Sequence, residues 1–166
     1  YGTPIEVNRL VTETDILILT GLIEPHPQFG FSGGRKSVMP GISSDRAIRH
    51  NHGPDMMDHP RAVYGVLDGN PQHEDATEIA KTVGVDLVLN VILNKDGHLA
   101  RVVTGDLEDT FNAGVDLARQ FCHVELSEPC DIAVTASGYP LDEVFYQGPK
   151  ISSSVLRLPE PVIKNG

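Results

Sequence analysis

Residues 72–93 carry the decisive rhythm: Gln72-His73-Glu74-Asp75-Ala76-Thr77-Glu78-Ile79-Ala80-Lys81-Thr82-Val83, then Gly84-Val85, then Asp86-Leu87-Val88-Leu89-Asn90-Val91-Ile92-Leu93. In the first part Ala76, Ile79, Ala80 and Val83 recur at i, i+3, i+4 and i+7, the apolar stripe of a helix. The second part is a short apolar run, as in a buried strand. Asn94-Lys95-Asp96-Gly97 supplies a tight turn, so Leu99 to Val103 is expected to pair back as the second arm of a hairpin. A long helix should follow from Leu107 to about Phe121.

Working outward, Asp15-Ile16-Leu17-Ile18-Leu19-Thr20 is another apolar run, ending at Gly21 as a buried parallel strand would. Ser43-Ser44-Asp45 is an N-cap signal for a helix over 46–51, and 53–60 reads as irregular chain. Asp131-Ile132-Ala133-Val134-Thr135 reads as a further buried strand. Alternating strands and helices predict an α/β fold, with parallel or mixed sheet layers and flanking helices. Helix breakers and charges in Glu125 to Pro129 mark a domain junction. The expected division is residues 1–126, the end of an N-terminal domain, and 127–166, the start of a C-terminal one. Because the chain opens on Tyr1 without Met and closes just after an apolar patch, it is expected to be an internal segment of a longer protein.

Composition narrows the class. Hydrophobic residues make up 40% and charged residues 22% of the 166 residues, the balance of a packed globular protein. A formal net charge of −10 repels phosphate backbones and anionic membranes, so neither nucleic acid nor membrane is an expected partner. No apolar run reaches the roughly 18 residues of a membrane span. Cys122 and Cys130 are expected to be a reduced pair in a cytoplasmic protein.

In open α/β sheets ligands bind beyond the carboxyl ends of strands, and two loops in such positions hold the polar residues of interest. The first reads Glu24-Pro25-His26-Pro27-Gln28-Phe29-Gly30-Phe31-Ser32-Gly33-Gly34-Arg35-Lys36-Ser37. Ser32, Gly33 and Gly34 could let backbone N–H groups converge on an anion. This is not a P-loop, because Arg35 stands where the Walker pattern needs glycine before the lysine. Lys36 reads two ways: a counter-ion for a bound phosphate, or a covalent anchor in a dry pocket beside Arg35. Local sequence leaves both open. His26 is held stiffly between two prolines, which suits a general acid/base or a metal ligand. Of His50 and His52, whose rings diverge on a helix, one is expected to act. His59, His73, His98 and His123 read as surface or packing residues. The second loop carries Tyr146, Gln147 and Lys150. Lys150 in a first helical turn opposes the helix dipole unless an anion is bound.

With both loops quoted, the sequence resembles the nickel-dependent lactate racemase family. The resemblance rests on Glu24-Pro25-His26, Ser32-Gly33-Gly34-x-Lys36, Pro40-Gly41-Ile42, Asn51-His52, Gly69-Asn70-Pro71, Asn90-Val91, Gly105-Asp106, Gly138-Tyr139-Pro140-Leu141-Asp142 and Tyr146-Gln147-x-x-Lys150. It implies an isomerase, a 2-hydroxy-acid racemase or epimerase working by hydride transfer. The implied cofactor is a nickel-pincer nucleotide, a pyridinium bis-thiocarboxylate mononucleotide tethered at Lys36 and loaded by cofactor-synthesis proteins. His52 would ligate nickel, His26 would be the acid/base, and Gln147 and Lys150 would face cofactor and substrate. A second acid/base histidine and an acidic/arginine motif belong to a part of the family that lies upstream of Tyr1, so the segment alone is expected to be inactive. The competing expectations are a phosphate- or nucleotide-binding module without nickel chemistry, or a structural domain.

Overall fold

A computed structural model describes residues 1–139, 141–145 and 150–164. Its elements run α1 (Arg9–Thr12), β1 (Ile18–Leu22), β2 (Pro25–His26), β3 (Gly30–Phe31), a 3-10 turn (Gly34–Ser37), α2 (Asp45–Asn51), α3 (Pro54–Met57), α4 (Pro71–Val83), β4 (Leu87–Leu93), β5 (Leu99–Gly105), α5 (Leu107–Cys122), a 3-10 turn (Leu141–Glu143) and α6 (Lys150–Leu156). The α/β class holds. A three-stranded mixed sheet has the order β1-β4-β5, with β1 parallel and β5 antiparallel to β4.

The helix–strand–hairpin–helix rhythm of 71–122 follows the sequence closely because each boundary has its own local cause. Asn70 accepts hydrogen bonds from the N–H groups of Gln72 and His73, and Pro71 opens α4 without needing a donor. Asp106 does the same for α5 through Glu108 and Asp109, and Ser44 for α2 through Ala47. The hairpin pairs Val91 with Val102 across the ladder.

Elsewhere the structure corrects the expectation. β1 starts at Ile18, three residues later than its apolar run, because pairing begins only where β4 begins. Below that point Asp86 closes the edge: its carboxylate accepts from Leu17 N at 2.8 Å and its N–H donates to Leu17 O at 3.0 Å. The ladder then carries past Gly21 to Leu22. Pro54 to Met57 is helical where irregular chain was expected. Residues 131–135 form no strand: Ile132 and Val134 are 80% and 90% exposed, and the nearest pairing is a single bridge from Cys130 to Ile163. A strand needs a neighbour's backbone to complete its hydrogen bonds, and none among the described residues lies alongside. Cys122 and Cys130 are both free thiols.

One face of the sheet is covered. Leu19 and Val88 pack with Ala76, Ile79 and Ala80 of α4, while Ile92 packs with Phe111, Val115 and Ala118 of α5. The alternate residues of the same strands, among them Ile18, Leu89, Leu93 and Val102, are exposed. Beyond α5 the chain docks back through Arg157, whose guanidinium donates to Met57 O at 2.8 Å and whose carbonyl accepts from Tyr64 N. Among the described residues no helix is long and apolar enough to cross a membrane.

The α5 cap is a direct test of this local control. Asp106→Ala removes an acceptor for two helix N–H groups and should lower unfolding stability by about 1 kcal/mol, read as a shifted urea midpoint at unchanged slope.

Candidate functional site

The covered face of the sheet delivers a compact polar cluster at the carboxyl end of β1. Chain leaving Leu22 folds into the two-residue strands β2 and β3, paired Pro25 to Phe31 and His26 to Gly30. Ser32 fastens this small hairpin to the sheet. Its hydroxyl donates to Leu22 O at 2.7 Å and accepts from Glu24 N at 3.1 Å.

Gly33 and Gly34 then turn the chain inward with φ of 84° and 51°, the left-handed region that favours glycine. A Cβ on Gly33 would lie 2.8 Å from Ile23 Cγ1, and one on Gly34 would lie 3.0 Å from the Phe111 ring. The Gly34 N–H is taken by the side chain of buried Asn90, at 3.2 Å. The turn was expected to cradle an anion, but this N–H belongs to the sheet. The two glycines serve close packing and so place the following 3-10 turn.

Arg35 is the anchor of that turn. It is 1% exposed and donates to Gly33 O (3.2 Å), Phe29 O (3.0 Å) and Phe31 O (2.8 Å). Its guanidinium also stacks 4.1 Å from the Phe111 ring centroid. No ion pair reaches it among the described residues, and burial lowers its pKa to about 9. With the arginine inside, Lys36 turns the other way.

Lys36 Nζ lies 3.3 Å from His26 Nε2 and 3.8 Å from the centroid of the Phe29 ring. His26 packs edge-on to the same ring at 5.4 Å, and His52 tilts against it at 5.6 Å. Three residues from three separate elements therefore surround one buried phenylalanine. His26, Lys36 and His52, each singled out from sequence, come together; Phe29, which joins them, was not singled out. Its only sequence signal was an aromatic placed between two candidate residues of one loop.

Hydrogen bonding assigns the ring nitrogens. His26 Nδ1 accepts from the N–H groups of Gln28 and Phe29 at 3.3 and 3.2 Å, so the neutral ring carries its proton on Nε2. That proton points to Lys36, and the contact is donor to acceptor when the lysine is a free amine. The face of Phe29 favours the ammonium instead. Both protonation states of Lys36 thus have a supporting contact. His52 is the C-cap of α2, and its Nδ1 donates to Ile48 O at 3.2 Å. The neutral ring then has its lone pair on Nε2, the arrangement usual in metal-ligating imidazoles.

The end of α2 is held by a buried polar network. Asp75 accepts from Asn51 Nδ2 at 2.7 Å and from Thr3 Oγ1 at 2.8 Å, and Gln72 Nε2 donates to Asn51 O at 3.0 Å. His50 meets Thr3 at 2.8 Å and so belongs to this scaffold. Tyr146 and Gln147 lie outside the described residues. Lys150 is the first residue of α6. Among the described residues, no three His, Cys, Asp or Glu side chains gather as a metal site.

A lysine and two histidines thus meet beyond the carboxyl end of a strand in an α/β scaffold, the position at which open α/β sheets bind ligands. Comparison with known proteins defines it further. Residues 1–65 match the lactate racemase N-terminal domain. Lactate racemase of Thermoanaerobacterium thermosaccharolyticum is 38% identical over 150 residues, covering 90% of this chain and 35% of that protein. The Lactiplantibacillus plantarum lactate racemase is 39% identical over 145 residues, covering 87% and 34%. The lactate racemase apoprotein structure from the first organism superposes with a TM-score of 0.81 over 86% of this chain and 34% of that one. A Thermotoga maritima protein, 24% identical with a TM-score of 0.63 over 80% of this chain and 34% of its own, shares the fold. In sequence and structure the chain is thus similar to lactate racemases, its first 65 residues matching their N-terminal domain, and it spans about a third of the length of the curated relatives it matches.

His73, on α4, is packed behind this cluster against the Phe111 ring. Burial first, then the nearby Arg35 charge, lower its pKa from 6.5 to about 4, against a small opposing effect of Glu74. The unfolded chain therefore takes up this proton near pH 6.5, whereas the fold resists it until about pH 4. Stability contributed by neutral His73 is complete above pH 6.5 and lost as pH falls toward 4. Denaturation midpoints of the wild type and His73→Phe, measured between pH 4 and 8, should converge in slope at high pH and diverge below 6.5.

Proposed function

We propose that this chain is part of a 2-hydroxy-acid racemase or epimerase that works by hydride transfer with a nickel-pincer nucleotide. In this reading residues 1–126 complete the N-terminal racemase domain and residues 127–166 open the C-terminal one. The observation that carries it is the meeting of Lys36 Nζ and His26 Nε2 at 3.3 Å, with His52 against the same Phe29 ring.

The residues fit such a group on donor chemistry. His52 is oriented by Ile48 O so that its neutral ring can offer Nε2 to a metal. With no protein triad of ligands among the described residues, a nickel ion here would need further donors, which a tethered organic group brings with it. Lys36 would hold that group through Nζ, and His52 would ligate the metal. When bound, the group supplies a reversible hydride acceptor. Gln147 and Lys150 would face cofactor and substrate from the second loop.

His26 does the proton work. Its Nε2 faces Lys36, and to take a hydroxyl proton there the neutral ring must carry its own proton on Nδ1, giving up acceptance from the Gln28 and Phe29 N–H groups. The ring is half-buried and packed on Phe29, which limits its rotation and fixes the direction of that transfer. Ser32, Gly33 and Gly34 contribute by building the turn that carries Lys36. The partners implied are a small 2-hydroxy acid and the proteins that synthesise and load the cofactor, in a cytoplasmic setting.

A second reading, a phosphate- or nucleotide-binding module, draws on the Phe29 contact that favours a charged lysine. There Lys36 is a counter-ion and leaves no covalent adduct.

Intact mass and nickel content of the full-length protein, produced with a cofactor-synthesis pathway, separate the two. The racemase reading expects an adduct that vanishes in Lys36→Ala and about one nickel per chain that falls steeply in His52→Ala. His26→Gln should keep adduct and nickel while lowering kcat by about 10²–10⁴-fold. An unmodified mass without nickel, from cells with an active pathway, would leave the binding module. Residues 1–166 alone should show no turnover, and measurable racemisation by them would overturn that part of the reading.

A further inference from the structure

Among the described residues, every hydrogen bond that joins 127–166 to 1–126 is made by Arg157. Its Nη1 donates to Met57 O at 2.8 Å and to Ala62 O at 3.4 Å, and its carbonyl accepts from Tyr64 N at 2.9 Å. Met57 closes α3, where a helix end leaves carbonyls without donors of their own. Asp58, 4.0 Å from Nη2 and largely exposed, adds little to these contacts.

Both sides of this junction lead to the candidate site. On one side α3 follows directly on His52 and Gly53. Gly65, next to Tyr64, donates to Gly30 O at 3.0 Å, and Gly30 is the ladder partner of His26. On the other side Arg157 follows α6, and its N–H bonds back to Ser153 O at 2.9 Å. That helix opens at Lys150 and spans seven residues, about 10 Å. From Ile151 to Leu156 none of its side chains is fully buried, so no core fixes it. A cavity of about 910 Å³ lies beside the junction, lined by Phe31, Tyr64 and Arg119 from one part and by Leu158, Pro161 and Val162 from the other. The two parts are pinned at Arg157 and open next to it.

We propose that Arg157 is the pivot that seats α6, with Lys150 at its far end, against the segments carrying His26 and His52. It is a positioning residue, and its bearing on turnover rests on the racemase reading above. A guanidinium suits the task, because its fixed plane of donors can hold two carbonyls at once and its charge strengthens each bond. Movement about this point swings the start of α6 and leaves its end seated.

The test uses the full-length protein made with the cofactor-synthesis pathway, as wild type, Arg157→Met and Arg157→Lys. Methionine keeps an apolar stem and removes the donors, whereas lysine keeps the charge without the planar fork. In Arg157→Met, amide hydrogen exchange should rise about tenfold in 53–65 and 150–158 and stay unchanged in 71–122. With lactate as the probe, kcat should fall about 10–100-fold at wild-type adduct mass and nickel content. Arg157→Lys should recover part of both losses. Unchanged exchange in 53–65 and 150–158, or a kcat equal to that of the wild type, would overturn the proposal. Faster exchange throughout 71–122 with loss of nickel would also overturn it, by making Arg157 a general stabiliser. A wild type without adduct or turnover would count against the racemase reading alone, and the exchange measurement would still decide the pivot.

Discussion

The guanidinium of Arg35 gathers the carbonyls of Phe29, Phe31 and Gly33 into one point inside the protein. Those three groups belong to a loop with only two short strands of its own; Phe29 O and Gly33 O each accept one backbone N–H as well, from Phe31 and Lys36, and the arginine draws all three carbonyls together. The same contact decides the direction of everything around it. Because Arg35 occupies the interior, the adjacent Lys36 faces outward from the turn. Because Phe29 O is tied to Arg35, its ring lies where Lys36, His26 and His52 all reach it.

Two other buried polar contacts complete the frame. Asn90, on the central strand, takes the N–H of Gly34 and so ties the turn to the sheet. Asp75, on α4, holds Asn51 and through it the end of α2, where His52 sits. His26, Lys36 and His52 are each half-buried, and each packs on the fully buried ring of Phe29. Buried support of this kind lets a loop hold side chains in place while the chain around it remains short of regular structure.

Local rules made the middle of the chain legible. From Pro71 to Cys122 the periodicity, the caps Asn70 and Asp106 and the turn Asn94 to Gly97 all point to the same elements, and agreement among local signals is what makes such a reading reliable. The loop residues His26, Lys36 and His52 were legible for a different reason. They are polar groups bracketed by prolines, glycines and a helix end, and a family motif joins them. The role of the Ser32-Gly33-Gly34 turn was misread because glycine serves anion cradles and tight packing equally well. Only neighbours such as Phe111 and Asn90, far along the chain, distinguish these uses.

The apolar run 131–135 shows the opposite failure. Its composition is that of a strand, yet a strand is a property of a pair, and the described residues offer it no neighbour. By itself, then, the sequence determined the α/β class, the helix boundaries with caps, the hairpin and the residues able to do chemistry, since all of these follow from contacts within a few positions. Tertiary structure decided the start of β1, the inward course of Arg35, the tautomers of His26 and His52, and the convergence on Phe29. Those depend on which backbone and side-chain groups lie opposite one another across distances of tens of residues, and hydrogen bonding in a close-packed interior allows one such arrangement.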